Sequence, residues 1–569
     1  MPKKGTCESR YMSLIELRQK AQAEFESLRN GKTCIYIDTG VSGSSAGAVP
    51  VFEQLVADVA NRKIEAQVIQ AGTLGWHEVE PVVAIAKPGQ PRIYYRNVTP
   101  ALVSELIDSV VVGSDPRADL ALATDAAEGF KGIPALSSLP YFAGQKRVSL
   151  RNAGQIDPEN LNDALVHGAY EGLAKALTLA PAAVIGEVEK AGLRGRGGAG
   201  FPTAKKWSTC SQAAADQKYV IANAAQGLES AGKDEVLLES DPHAVLEGLL
   251  IAAYAVGANY AYLAINPDFR VAIRRVGIAL EQMKSANLIG EKILGSEFSC
   301  QIEIALAPRG LASGEETILI NALEGRRAQA SVRPPYPETE GLKGKPTSVD
   351  NVESLALAAV ILGKGAESFR SLGTKNNPGT KLVTLAGKLQ RKGVVEVPMG
   401  TPLSTIVGEI AGGLATGDEL KAIQVGGPAG GWLPVSELAT ALDYEELVKT
   451  GCTLGSGTLL AVDTKACAVD MAKQAATVAH KASCGKCSFG REGSRQLKDV
   501  LIDMSKGRSA ASDIDLLQTL CDGMKDGSLC ANGKNAPDAV VTVLRYFRTE
   551  VEAHLSGNKQ CPARVCGNN

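Results

Sequence analysis

Residues Gly192–Pro202 read GLRGRGGAGFP and run directly into TAKKW at Thr203–Trp207. Five glycines fall within nine residues, with two arginines among them. Glycine reaches positive φ without penalty and lets backbone N–H groups approach a ligand closely. Such a loop at the start of a helix makes a nest for a phosphate group. Arg194, Arg196 and Lys206 can add charge to it. A flexible linker is the competing reading, but the aromatic–proline end Phe201–Pro202 and the Lys206–Trp207 pair are rigid and unlike a linker. The stretch is neither the G-x-x-x-x-G-K-[ST] phosphate loop nor a dinucleotide fingerprint after a strand.

Around this loop, helices and strands alternate. YVIANA (219–224), YAYLAIN (260–266) and CQIEIALA (300–307) read as strands, and HAVLEGLLIAAYAVG (243–257) as a helix between the first two. The stretch from 161 to 370 is therefore expected to be one α/β domain. N-terminal to it, residues 1–115 give a helix and then a β-α-β-β-β-α order, the size and order of a small thioredoxin-like unit. Residues 116–160 carry scattered Gly and Pro and read as a linker. Beyond 370, GTKLVTLAGKLQRKGVVEV (379–397) turns to short strands, and 371–465 is expected to form a compact α+β module of ubiquitin-like size. From 466 to 569 the chain reads as a four-helix bundle ending in a mobile tail, SGNKQCPARVCGNN. The fold class is thus multidomain α/β.

The 569 residues, 45% hydrophobic and 21% charged, suit roughly four domains. A net charge of −2 offers no basic surface for nucleic acid. The start, MPKKGTCESRYM, has no apolar segment of the secretory kind. The most apolar run, EGLLIAAYAVGANYAYLAI, is broken by Gly and Asn, so no membrane span is expected, and the chain reads as cytoplasmic. Of 12 cysteines, most stand singly and read as small buried hydrophobes. The five histidines likewise show no clustering in sequence. The exception among the cysteines is SCGKC at Ser483–Cys487.

Several stretches together resemble a known family: GLRGRGGAGFPTAKKW, SGEETILINALEGRR (313–327), VRPPYPETEGLKGKPTSVDNVE (332–353), VVEVPMGTPL (394–403) and SCGKC…REG. They are similar to the flavin-bearing, NADH-oxidising subunit of respiratory complex I, which recurs in NAD-linked hydrogenases and formate dehydrogenases. The resemblance spans about 165–555. It implies flavin mononucleotide (FMN) on Gly195, Arg196, Gly197, Lys206, Asn223 and Asn351. It places Gly314, Glu315 and Glu316 beside the flavin ring and nicotinamide, the two glutamates as catalytic residues. Phe201, Arg333 and Tyr336 match positions that contact the dinucleotide, NAD(P)H. The 371–465 module would be of the SLBB type. A [4Fe-4S] cluster is implied on Cys484, Cys487 and Cys530, with Gly490 where the family has its third cysteine; zinc at these three is the weaker alternative. Partners would be the other subunits of a redox complex.

The departures matter as much. The family's acidic N-A-D-E-G-E segment is NAAQGLES here, with Ala225, Gln226 and Leu228 in place of carboxylates, and Leu311 replaces a tyrosine. Residues 30–115 resemble the fused thioredoxin-like [2Fe-2S] domain of soluble relatives, yet the four cluster positions hold Asp38, Gly43, Thr73 and His77. No [2Fe-2S] cluster is expected there. Two readings follow. One is an electron-transfer flavoprotein subunit, related to NADH dehydrogenase, with weakened or altered NAD(P)H use. The other is a catalytically inactive paralogue serving as a scaffold subunit.

Overall fold

The computed structural model describes residues 7–29, 31–226, 228–415, 417–555 and 561–566. Side chains at 7–13, 28, 228–231 and 311 are outside that description, which removes the sequence expectations at Leu228 and Leu311 from structural test.

Three sheets organise the described residues. The first is built from β1 (Thr33–Asp38), β2 (Ala66–Ala71), β3 (Val83–Ala86), β4 (Ile93–Tyr95) and β5 (Ala121–Thr124), in the order β2-β1-β3-β4-β5. Only β1 and β2 run parallel. The 116–160 stretch, expected as a linker, thus supplies the edge strand β5 and the buried side chains Ile133, Tyr141, Phe142 and Leu150. Scattered Gly and Pro hid these short apolar anchors. The N-terminal helix, Cys7–Arg29, packs mainly on the central domain. Its Leu14 and Ala21 enter the core of the central domain, and Arg29 grips Asp163 with contacts of 2.7 and 2.8 Å.

The second sheet is fully parallel: β6 (Tyr219–Ala224), β7 (Tyr260–Ile265), β8 (Gln301–Leu306) and β9 (Thr347–Asn351), in the order β8-β7-β6-β9. Helix Pro242–Val256 lies buried behind it. Asp241 caps its start by accepting from Ala244 N at 3.0 Å, and Gly257 ends it at φ +79°. This helix packs on Val352–Lys364 so closely that a Cβ at Gly248 would stand 2.0 Å from the Leu355 carbonyl. Only glycine permits that approach.

The third sheet comprises β10 (Thr380–Gly387), β11 (Gly393–Pro398), β12 (Leu420–Val425), β13 (Gly431–Pro434) and β14 (Thr458–Asp463), ordered β11-β10-β14-β12-β13. It shares one apolar core with a face of the first sheet, where Tyr36, Ile69 and Tyr94 meet Val383, Leu385 and Val395. Helices Ala468–Ala482, Ser494–Ser505, Ser512–Gly527 and Asp538–Tyr546 form the C-terminal layer around Leu497, Leu517 and Val540. Part of the expected mobile tail returns to it: Cys561 and Cys566 pack on this core. No described helix is long and apolar enough to cross a membrane.

Candidate functional site

The strand order fixes where a ligand can sit. From β6 the chain steps to β7 and β8 on one side, then returns to β9 on the other. In such sheets the crevice lies beyond the carboxyl ends of the strands where the order reverses. Here that is the β6/β9 boundary. Asn223 and Asn351 face each other in register there, and Asn351 Nδ2 donates to the Asn223 carbonyl at 3.2 Å.

The glycine loop closes over this crevice. Gly195 N donates to Phe201 O at 2.8 Å, and Thr203 N to Leu193 O at 3.0 Å, so the loop is a tight ring leading into helix Thr203–Gln212. A Cβ at Gly197 would stand 2.8 Å from the Asn351 Cβ; one at Gly198 would meet nothing within 4 Å. The loop is therefore pressed onto Asn351 at one residue and open at the next. Gly200, at φ +69°, leaves room for the Tyr444 ring.

Beside the loop, four charged side chains form one network. Lys206 Nζ pairs with Glu316 and donates to Val349 O at 2.7 Å. Arg333 reaches Glu315 at 2.7 Å and Glu316 at 3.1 Å. Glu315 also caps helix Glu316–Leu323, accepting from Ile318 N at 2.9 Å. Burial alone would lower the Lys206 ammonium, but the carboxylates of Glu316 and Asp350 outweigh it and hold it above its ordinary range. Burial opposes ionisation of Glu316, yet Lys206 and Arg333 hold its carboxyl below the usual range. Both stay charged at neutral pH.

The structure thus brings together Gly195, Gly197, Lys206, Asn223, Gly314, Glu315, Glu316, Arg333 and Asn351; Asn223 Nδ2 donates to Gly314 O at 2.9 Å. Phe201 and Tyr336 stand half exposed, at 50% and 54%. Arg196 is a correction. Its side chain is fully buried and donates to the carbonyls of Thr380, Arg194 and Pro378 at 2.9, 3.1 and 2.6 Å. The guanidinium pins the loop to β10 and cannot reach an anion in the crevice.

Two features escaped the sequence reading. Gln226 Nε2 donates to Gly197 O at 3.0 Å. Beneath Asn351, Lys233, Asp234, Glu353 and Lys381 form a buried charge network, and Lys233 Nζ also donates to Asn351 Oδ1 at 3.1 Å. The adjacent Lys233–Asp234 pair in sequence was the available signal. Ala225, one of the positions expected to weaken the site, packs with Ile221, Leu319 and Val349 in a filled apolar cluster.

Comparison with known proteins bears on this geometry. Residues 188–360 match the Nuo51 FMN-binding domain, and residues 470–554 the iron–sulfur binding region of NADH-ubiquinone oxidoreductase-F. Over 422 residues the chain is 41% identical to the HndC subunit of an NADP-reducing hydrogenase from Solidesulfovibrio fructosivorans, covering 74% of this chain and 86% of that one. The chain belongs to the Nuo51 family. A further Nuo51 relative, an F-type subunit of NADH-quinone oxidoreductase from Rhizobium meliloti, is 37% identical over 73% of this chain and 99% of its own. Among solved structures, an NAD+-reducing [NiFe]-hydrogenase in the H2-reduced state superposes with TM-score 0.64 at 27% identity, covering 92% of this chain and 84% of that one.

The residues present fit a Nuo51 flavin. The glycine cradle is open at Gly198, and Gln226 Oε1 is buried without a partner among the described residues. For the cluster region the fit is three corners of four. Cys484 and Cys530 pack on Ala312, Ile318 and Ala330, next to the Glu315 network, and the Cys484 and Cys487 thiols lie close enough to Cys530 to act on its ionisation, which burial raises. Gly490 N donates to Cys487 Sγ at 3.3 Å, and Gly490 itself has no side chain to offer a ligand atom. The three thiols do not form a single-ion group: the one set of described ligand atoms converging within 4.8 Å lies elsewhere.

The cluster positions of the N-terminal sheet hold other chemistry. A Cβ at Gly43 would stand 2.4 Å from the Asp38 carbonyl, so no side chain of any kind fits there. Thr73 Oγ1 donates to Glu80 Oε1 at 2.5 Å, and burial and the nearby Asp38 charge raise the Glu80 carboxyl.

Proposed function

We propose that the chain is the flavin-bearing electron-transfer subunit of a multi-subunit oxidoreductase, accepting hydride from a reduced nicotinamide dinucleotide. The observation that carries this reading is the glycine ring seated on Asn351 at the β6/β9 switch point, with the Lys206–Glu316–Arg333–Glu315 network at its side. Gly195, Gly197, Lys206, Asn223, Gly314 and Asn351 hold FMN; Glu315 and Glu316 flank its ring; Phe201, Arg333 and Tyr336 receive the dinucleotide. Bound there, FMN converts two-electron hydride chemistry to one-electron transfer.

The chain's own residues prepare that chemistry. Lys206 and Arg333 keep Glu316 ionised, so its carboxylate can accept hydrogen bonds from ligand hydroxyls. Glu315 spends one oxygen on its helix cap and presents the other with Arg333. Lys233 and Asp234 fix the Asn351 amide from below. Cys484, Cys487 and Cys530 hold a [4Fe-4S] cluster by three thiolates, with the Gly490 corner left to a non-protein ligand. In this reading 1–115 is the thioredoxin-like domain, continued by β5 of the 116–160 segment and carrying no cluster; 161–370 is the flavin domain, 371–465 the SLBB-type module and 466–569 the bundle. The partners are other subunits of a redox assembly.

The test is a visible spectrum of the anaerobically purified chain, with acid-released flavin and iron counted. About one FMN per chain, bleached by NADH or NADPH, is expected. A colourless protein after incubation with FMN overturns the reading and leaves the scaffold role.

A further inference from the structure

We propose that Cys467, His554, Cys561 and Cys566 bind one zinc ion, a structural site that fastens the C-terminal segment to the junction of the third sheet and the helical layer. These four residues bring one ligand atom each to within 4.8 Å of the others. Cys467 Sγ stands 3.3 Å from Cys566 Sγ and 3.3 Å from His554 Nε2. Tetrahedral zinc, about 2.3 Å from sulfur and about 2.0 Å from imidazole nitrogen, sets neighbouring ligand atoms about 3.5–3.8 Å apart. The observed spacing contracts or relaxes to that by tenths of an ångström. A cubane spreads its ligands over four separate irons and holds them farther apart, so the group fits a single ion. The sulfurs of Cys467 and Cys566 are also well beyond disulfide length.

The surroundings are those of a metal ligand set. His554 Nδ1 is engaged by the Glu550 carbonyl at 2.7 Å, which leaves Nε2 for a metal and fixes the ring orientation. Cys467 and His554 are 1% and 3% exposed. Three thiolates and one imidazole form a closed donor set with no position left for water, the pattern of structural rather than catalytic zinc.

The ligands come from three places that otherwise share few covalent neighbours. Cys467 stands just after β14 and opens helix Ala468–Ala482. His554 follows helix Arg548–Glu552. Cys561 and Cys566 come from the terminal segment. Glu550 strengthens the same junction, accepting from Lys421 Nζ at 2.7 Å and from Ala468 N at 3.3 Å. The ion would complete this joint, and its binding free energy would add to folding. None of these residues belongs to the flavin crevice or to the three-cysteine region, so the inference stands apart from the proposed function.

Zinc counted in the chelator-washed full-length protein tests it. About one zinc per chain is expected. Cys566→Ser and His554→Ala should lose it at least tenfold, while Cys484→Ser keeps it and loses iron. His554→Cys, which preserves a four-thiolate set, should retain zinc. Zinc-edge X-ray absorption of the wild type reads the site without any variant, and three sulfurs and one nitrogen are expected. Absence of zinc, iron in its place, zinc content unmoved by Cys566→Ser, or a Cys467–Cys566 disulfide in anaerobically purified protein would each overturn the proposal.

Discussion

Gln226 donates from Nε2 to the Gly197 carbonyl at 3.0 Å, tying the end of β6 to the glycine loop. A glutamate, the family's residue here, cannot make that donation while ionised, and would face the carbonyl with a charge. Losing a buried partner in this way costs about 1–3 kcal/mol. Gln226→Glu alone should therefore loosen the loop and weaken FMN retention, measured by fluorescence titration of released flavin. Ala225→Asp should be worse for the fold, since it places a carboxylate among Ile221, Leu319 and Val349. Restoring the family's acids is thus expected to lower the melting temperature without raising NADH affinity. A stable double variant with tighter NADH binding would show that the crevice tolerates these charges.

Gly197 and Gly198 make a matched pair of probes. Gly197→Ala must displace Asn351, because its Cβ would stand 2.8 Å from the Asn351 side chain. It should lose most of its flavin and also melt earlier as apoprotein. Gly198→Ala meets no protein atom within 4 Å. Its apoprotein should melt like wild type, and only FMN binding should fall. Equal melting losses in both apoproteins would contradict the cradle geometry.

Much of this crevice was legible before the structure. The glycine string suggested a phosphate nest from its own residues, whereas Asn223, Asn351 and the two glutamates of SGEET came from the family resemblance; the fold sets Asn223 and Asn351 side by side at the end of the sheet. What was not legible depends on direction or on distant partners. Arg196 looks like an anion ligand in sequence, but the folded loop aims it at the Thr380 and Pro378 carbonyls, 184 and 182 positions away. Strand β5 hid in a Gly- and Pro-rich stretch because four residues supply too little periodicity. Cys467 and His554 were isolated letters until the fold placed them 3.3 Å apart.

The Asp38–Glu80 pair sets a pH dependence. Burial, then the charge of Asp38, pushes the Glu80 carboxyl up to about 9 from an ordinary 4.5. Between those values the folded chain keeps a proton that the unfolded chain has lost. Stability attributable to this group is therefore full below about 4.5 and falls as pH rises toward 9. In Glu80→Gln the amide oxygen can still accept from Thr73 and Ser42, and the side chain has no proton to lose beside the Asp38 charge. The variant should melt higher than wild type at pH 8, by about one degree per ~1 kcal/mol in a chain of this length, and match it near pH 5. A lower melting temperature at pH 8 would exclude a proton retained on Glu80.

Lys206 and Glu316 carry the opposite sign. Glu316 is held below the usual range when folded, so its contribution is present above the unfolded value and is lost as pH falls through the lower folded value. Lys206→Met leaves burial, the largest influence on Glu316, opposed by Arg333 alone. The carboxyl should then titrate upward, and acid destabilisation should begin at least about one pH unit higher than in wild type. Thermal melts across the acid range measure the onset. An unchanged onset would mean that Arg333 suffices to hold the charge.

The last expectation concerns the missing corner of the three-cysteine region. Gly490 already donates its N–H to Cys487 Sγ, and a Cβ built on it would stand 3.1 Å from that sulfur. The Gly490 backbone thus lies where a fourth ligand would have to begin. Gly490→Cys should complete a four-thiolate set, provided Cys487 shifts by a few tenths of an ångström to relieve the contact. A thiolate in place of a non-protein ligand adds negative charge at the cluster and removes an exchangeable position. The variant should hold about four irons per chain more firmly against air and chelator, and its reduction potential should fall. Cys484→Ser in the same background should lose the iron. The competing product is a disulfide between Cys487 and the introduced thiol, which mass spectrometry of the anaerobically prepared variant would detect. A variant whose iron is no more resistant than wild type, with both thiols free, would show that Gly490 does not mark a cluster corner in this chain.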